Sequence, residues 1–307
     1  MIDLVTLRRY VSGRLEFRAL RKYHSRLGRH AAPSYAKYLE RCRAGFRDER
    51  ALALETERAV RDFERNGFTA LWLPENRRLA DSIIGKIHEE ERRGVRIWNT
   101  DGRYKDELFT KFREIEQLFQ GALGTFLMAV YRAHFKIFFG VLYKSERTTD
   151  GPTGSQLWHT DGGPGTCINV MFYLNDVSRE DGAMECLPWD ASVEIYRKEL
   201  CSGEVQRRLR DAASTGENER DVKCKLYLDE ISRLYRARVE QPQGQAGLLV
   251  PFRNNILHKG GYPEAGRVRY VCVFHVYPSA TATPFARYRS DGIAKVASYP
   301  KDPAADF

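Results

Sequence analysis

The chain of 307 residues has no apolar run approaching the eighteen or so residues that a membrane-spanning helix needs. No apolar segment of the secretory kind stands near its start, so the sequence reads as cytoplasmic. The six cysteines, Cys42, Cys167, Cys186, Cys201, Cys224 and Cys272, lie far apart with no C-x-x-C pair. That spacing favours reduced, buried thiols over a disulfide framework. There is no phosphate loop, no G-x-G-x-x-G and no G-x-S-x-G, which removes the usual nucleotide cradles and the nucleophile elbow. Gly162-Gly163-Pro164-Gly165 is a turn and not a phosphate cradle, because no helical pattern follows it. Internal repeats and low-complexity stretches are absent too. What is left is a chain long enough for one large domain with embellishments.

What the chain has in excess is positive charge. Its formal net charge is +9, from 50 Lys and Arg against 41 Asp and Glu. The excess gathers in the first fifty residues, with Arg8, Arg9, Arg14, Arg18 and Arg21 among its members. Leu4, Leu7, Val11 and Leu15 interleave at helical spacing. Contact with nucleic acid or an acidic membrane surface is open to such a segment. The favoured expectation is plainer: basic helices over 1–66 that pack on the core and turn arginines to water.

Alternation and turn residues set out the rest. Leu52 to Glu64 is expected as an amphipathic helix stopped by Gly67, with a strand from Phe68 to Leu73. Helices are expected over Arg77–Arg92 and Leu108–Arg132, then a strand over Ile137–Tyr143. Thr166 to Leu174, Ala183 to Leu187, Gly247 to Phe252, Ile256 to His258 and Arg267 to Tyr277 read as strands. Between about 190 and 240 the β pattern gives way to charged, helically spaced residues, among them Arg207, Arg208 and Arg210. This stretch reads as a helical insertion over the core, acting as a mobile lid with a bias toward carboxylate- or phosphate-bearing substrates.

The chemistry-bearing motif is Trp158-His159-Thr160-Asp161, answered by His258. On a strand, residues i and i+2 share a side, so His159 and Asp161 can face one metal ion. With His258 from a second segment they make a set of two imidazoles and one carboxylate, the facial triad of non-haem iron(II) sites. In the last strand Arg269 stands among apolar neighbours, where a cation needs an anionic partner such as a ligand carboxylate. Lys144 and Asn169 are candidates to reach the same ligand from neighbouring strands. His275 reads as a core or rim histidine, and His24, His30, His88 and His134 as helical residues without partners.

Residues 136–278 resemble the non-haem iron(II), 2-oxoglutarate-dependent dioxygenases, and within them the phytanoyl-CoA dioxygenase-like branch. The likeness is carried by Gln156-Leu-Trp-His159-Thr-Asp161, Tyr173-Leu-Asn-Asp-Val177, Asp181-Gly-Ala-Met-Glu-Cys-Leu-Pro188, Leu257-His258-Lys-Gly-Gly261 and Arg269, with Asn66-Gly-Phe-Thr-Ala-Leu71 upstream. It implies a mainly β core, a double-stranded β-helix (jelly roll, cupin-like) over 67–307, flanked by the N-terminal helices. It implies iron(II) on His159, Asp161 and His258, and an arginine eleven residues beyond the distal histidine for the distal carboxylate of 2-oxoglutarate. That offset lands on Arg269, with Arg267 as second choice. The implied reaction uses O2 to hydroxylate an unactivated C–H bond of a small molecule, releasing succinate and CO2. Trp189-Asp190-Ala191 and Gly260 depart from the pattern of many relatives, whereas Asp161 keeps the carboxylate that halogenating relatives lose. A catalytically silent, regulatory 2-oxoglutarate-binding barrel and a nucleic-acid-modifying oxygenase are the alternatives.

Overall fold

The computed structural model describes residues 33–47, 51–149, 151–152, 154–161, 167–201, 203–216 and 219–297. Most of the basic N-terminal segment, with His24 and His30, lies outside them. The described chain starts with α1 (Pro33–Ala44), α2 (Leu54–Asn66) and α3 (Pro74–Arg92). Gly67 ends α2 as expected: its φ of 82° is left-handed, and its N–H donates to Phe63 O at 2.9 Å. α3 starts at Pro74, three residues earlier than periodicity suggests, because proline is suited to the first helical turn. None of the described helices is long and apolar enough to cross a membrane.

The single helix expected over 108–132 is three: α4 (Leu108–Lys111), α5 (Arg113–Gln120) and α6 (Ala122–Tyr131). The breaks fall at Phe112, which is extended (φ −120°, ψ 99°), and at Gly121. Phe112, Ile115, Phe119, Leu123 and Phe126 are all fully buried or nearly so. One straight helix could not turn that spread of apolar positions to a single core, so the chain breaks twice.

Four strands form an antiparallel sheet in the order β1 (His134–Glu146), β6 (Val268–Ser279), β2 (Ile168–Tyr173), β4 (Leu249–Arg253). His134 therefore opens a strand and is not in a helix. Side chains alternate across this sheet. Leu142, Ile168, Val170, Phe172, Cys272 and Phe274 join the helices in one core. Val141, Met171, Tyr173, Val250, Val271 and Val273 join Ala183, Met184 and Cys186 in a second. That second core adjoins a small antiparallel sheet, β3 (Glu185–Cys186) with β5 (His258–Lys259), which isolated bridges extend to Glu240 and His159. The stretch expected as a strand over 68–73 makes only single bridges, Phe68 to Phe252 and Leu71 to Leu249. Thr69 N–H donates to Pro251 O, but Pro251 has no N–H to return, so the ladder loses one rung there before Arg253 N–H donates to Gly67 O at 2.8 Å.

Between β3 and β4 the chain is helical, as expected: α7 (Trp189–Cys201), α8 (Gly203–Thr215) and α9 (Glu219–Glu230), then a π turn over Ile231–Tyr235. α10 (Phe285–Asp291) and α11 (Ile293–Val296) follow the last strand. Cys42, Cys167, Cys186, Cys224 and Cys272 are buried thiols.

Gly247 joins the two layers. Its φ is +90°, and a Cβ there would lie 2.5 Å from Arg77 N and 2.6 Å from Asn76 C. Both are backbone atoms at the start of α3. Gly247→Ala should therefore cost more than the roughly 1–3 kcal/mol of a strained backbone alone. The urea midpoint should fall accordingly; an unchanged midpoint would mean that α3 does not pack on this turn as described.

Candidate metal centre

The site is assembled by main-chain pairing before any side chain takes part. His159 N–H donates to His258 O at 2.9 Å, and His258 N–H returns to His159 O at 3.0 Å. Asp161 N–H donates to Asn254 O at 2.9 Å. The two histidines thus stand opposite each other, ring centroids 4.4 Å apart. Asp161, two residues along, lies on the same side. Its Oδ1 is 3.7 Å from His159 Nε2 and its Oδ2 is 3.6 Å from His258 Nε2. One ligand atom from each of the three residues lies within 4.8 Å of the other two.

Both imidazoles are oriented alike. His159 Nδ1 lies 2.6 Å from Leu157 O, and His258 Nδ1 lies 2.9 Å from Ile256 O. A carbonyl only accepts, so each Nδ1 carries the proton and each Nε2 presents its lone pair to the centre. These main-chain acceptors carry no side-chain signal in the sequence. Asn169 Nδ2 donates to Asp161 Oδ2 at 2.5 Å and fixes the carboxylate plane. Burial would raise the Asp161 carboxyl, but the facing imidazoles of His258, then of His159 and His275, favour its ionised form and hold it well below the usual carboxylate range. The centre is therefore anionic at neutral pH, as a divalent cation requires.

Arg269 is buried on the same face of the large sheet. Its Nη1 donates to Gly182 O, and its Nη2 lies 3.4 Å from Ser145 Oγ. Its Nε has no partner, and no ion pair to it exists among the described residues. Burial pulls its pKa down, the signature of a cation short of a counter-charge. Gly260, two residues past His258, is close enough that a Cβ there would be 3.4 Å from Nη2.

The other candidates go elsewhere. Lys144 pairs with Tyr270 across the sheet, on the helix side, where its Nζ meets Glu146 at 2.9 Å and Glu91 at 3.4 Å. Arg267 precedes β6, is exposed, and lies 3.7 Å from Asp181. His275, by contrast, faces the centre: with Asp161, Asn169, Asn254, Cys167, Phe138 and Phe139 it lines a cavity of about 360 Å³. Its six-residue offset from Arg269 on one strand was the available signal.

The helical insertion supports the centre from behind. Trp158 and Leu257 each precede a histidine of the triad and point to the opposite side. There they join Ala191, Ile195, Tyr227, Ile231 and Tyr235 in a third core. The fully buried Ser192 accepts Leu257 N–H at 2.9 Å through Oγ and donates to Leu187 O at 3.2 Å. Ser192→Ala would strand the Leu257 N–H, at a cost of about 1–3 kcal/mol. Because Leu257 adjoins His258, metal affinity should fall together with the urea midpoint. A variant destabilised by that amount with unchanged metal affinity would separate Ser192 from the centre.

No known family's sequence profile matches the chain, and no curated protein matches it in sequence. Solved structures do show similarity. The epimerase SnoN, in complex with Fe3+, α-ketoglutarate and nogalamycin RO, is 14% identical with a TM-score of 0.48, over 81% of this chain and 92% of its own. The non-haem, α-ketoglutarate-dependent carbocyclase SnoK from nogalamycin biosynthesis is 16% identical with a TM-score of 0.48, over 74% and 87%. HygX from Streptomyces hygroscopicus, with nickel and 2-oxoglutarate bound, is 14% identical with a TM-score of 0.47, over 76% and 90%. What this centre can do follows from its own side chains.

Proposed function

We propose that this protein is an iron(II)- and 2-oxoglutarate-dependent oxygenase of a small molecule, and that its two facing sheets form a double-stranded β-helix. One observation carries the reading: a triad of two Nε2 lone pairs and one carboxylate stands on the same face as a buried guanidinium that has no carboxylate partner among the described residues. Two imidazoles and a carboxylate suit iron(II) and leave coordination positions open. A dicarboxylate with one end at the metal and the other at Arg269 would supply the missing counter-charge.

With iron(II), 2-oxoglutarate and O2 bound, the centre would supply oxidative decarboxylation of the cosubstrate to succinate and CO2 together with oxidation of a C–H bond. The chain's own residues prepare for this. His159 and His258 hold their Nδ1 protons on main-chain carbonyls, so neither ring can turn away. Asn169 holds the Asp161 carboxylate. Arg269 would grip the distal carboxylate and set the register of the cosubstrate, since a guanidinium matches a carboxylate in two bonds. Trp158 and Leu257, covered by the insertion, keep water off the back of the ligand segments. The insertion is thus a packed wall in this reading, which makes its loss damaging to the centre and not only to closure. Lys144, turned to the helix layer, has no part in it.

The grouping of His159, Asp161 and His258, with Arg269 on the same face, supports turnover over a silent barrel. A succinate-release assay with iron(II) and 2-oxoglutarate tests the reading. Succinate should form only when both are present, and a small-molecule substrate should raise the rate. No succinate with any substrate of a broad metabolite panel, from protein that holds iron and 2-oxoglutarate, would turn the reading to the regulatory alternative.

A further inference from the structure

β1 carries a register shift against β6: Ile137 pairs with Val276 and Phe139 with His275, leaving Phe138 as the extra residue. In an unbroken strand Phe138 and Phe139 would point to opposite faces. The bulge cancels that alternation and sets both rings against His275, at centroid distances of 5.8 and 4.7 Å. The three rings form one wall of the cavity of about 360 Å³ that reaches Asp161. Arg269 is six residues from His275 along β6, roughly 20 Å of extended strand, so this cavity lies away from the guanidinium.

The polar part of the wall is equally defined. Asn169 must turn Nδ2 toward Asp161, because a carboxylate only accepts. Its Oδ1 is then an acceptor, buried and without a partner among the described residues. Among the described residues no Lys or Arg lines the cavity, and the charged group that does, Asp161, belongs to the triad.

We infer that this cavity receives the part of the substrate nearest the metal, and that this part is an uncharged ring bearing an O–H or N–H donor for Asn169 Oδ1. The inference rests on the triad being the metal centre. It departs from the anionic substrate expected from the charged insertion: the two charges of a divalent cation would be balanced by Asp161 and by the 2-oxoglutarate carboxylate at the metal, and no Lys or Arg among the described lining residues is left to meet an anion. The ring faces supply edge-to-face or offset contacts, and the volume suits a small-molecule site.

The test uses full-length protein loaded with nickel(II) and saturated with 2-oxoglutarate, titrated with benzyl alcohol, benzyl methyl ether, benzenesulfonate and benzylammonium. Calorimetry or ligand-observed NMR gives the affinities. Benzyl alcohol should bind most tightly, the ether (which lacks the donor) several-fold more weakly, and both ions at least about tenfold more weakly. Phe138→Ala and Phe139→Ala should each weaken benzyl alcohol by about tenfold. Phe139→Leu, which keeps the bulk, guards against a loss from misfolding and should fall between. Equal affinity for neutral and charged probes, no binding of benzyl alcohol, or wild-type affinity in both alanine variants overturns the inference. Failure of the wild type to bind nickel at all overturns instead the metal reading beneath it.

Discussion

Asp161→Ala should lower iron-dependent succinate formation by at least about a thousandfold, equivalent to roughly 4 kcal/mol of barrier. Asp161 provides the only anionic donor of the triad, and without it two neutral imidazoles face a divalent cation. The variant also leaves Asn169 Nδ2 without its partner. The fold should survive, because Asp161 N–H still donates to Asn254 O and the His159–His258 main-chain pair is untouched. The metal-free variant should therefore still unfold cooperatively, with a loss no greater than the roughly 1–3 kcal/mol of a stranded buried donor. His159→Ala should lose activity to a similar degree. A folded Asp161→Ala protein that turns over at the wild-type rate would show that the metal sits elsewhere.

Arg269→Ala should raise the 2-oxoglutarate concentration needed for half-maximal succinate release by about 30-fold or more. Truncating one member of a buried, hydrogen-bonded charge pair costs about 2–5 kcal/mol, and the lower figure is about 30-fold. Arg267→Ala should change little, since Arg267 is exposed and directed at Asp181. A second readout separates a ligand role from a packing role. Ligand that binds only the folded state stabilises it by mass action, so 2-oxoglutarate should raise the thermal midpoint of the wild type more than that of Arg269→Ala. If both proteins gain equally, the guanidinium does not hold the cosubstrate, whatever its effect on rate.

The parts of this centre that were legible in the sequence are those set by local geometry. His159 and Asp161 share a face because they are two residues apart, and Arg269 stood out as a cation inside an apolar strand. The limits of the insertion followed from the end of β alternation near 190 and its return near 247. What was not legible depends on register and on main-chain partners. His275 read as a core or rim histidine because the bulge at Phe138, which opens the cavity beside it, exists only in the pairing of β1 with β6. Lys144 read as a possible ligand contact because strand parity alone does not say which face is inward; the opposition of Lys144 to Tyr270 places it with the helices. Arg267 shares parity with Arg269, but the strand begins only at Val268. The Nδ1 acceptors of both histidines are backbone carbonyls, which every residue has. The break at Phe112 reflects competition between helix continuity and burial, a balance that periodicity does not weigh.

Anaerobic equilibrium titration of purified, metal-free protein with iron(II), and then of the iron-loaded protein with 2-oxoglutarate, tests the central claim most directly. One iron(II) per chain should bind, and 2-oxoglutarate should bind tightly only once iron is present. The first step should disappear in Asp161→Ala and the second should weaken in Arg269→Ala. Iron binding that is unaffected by loss of Asp161, or 2-oxoglutarate binding that is indifferent to both iron and Arg269, would contradict the account.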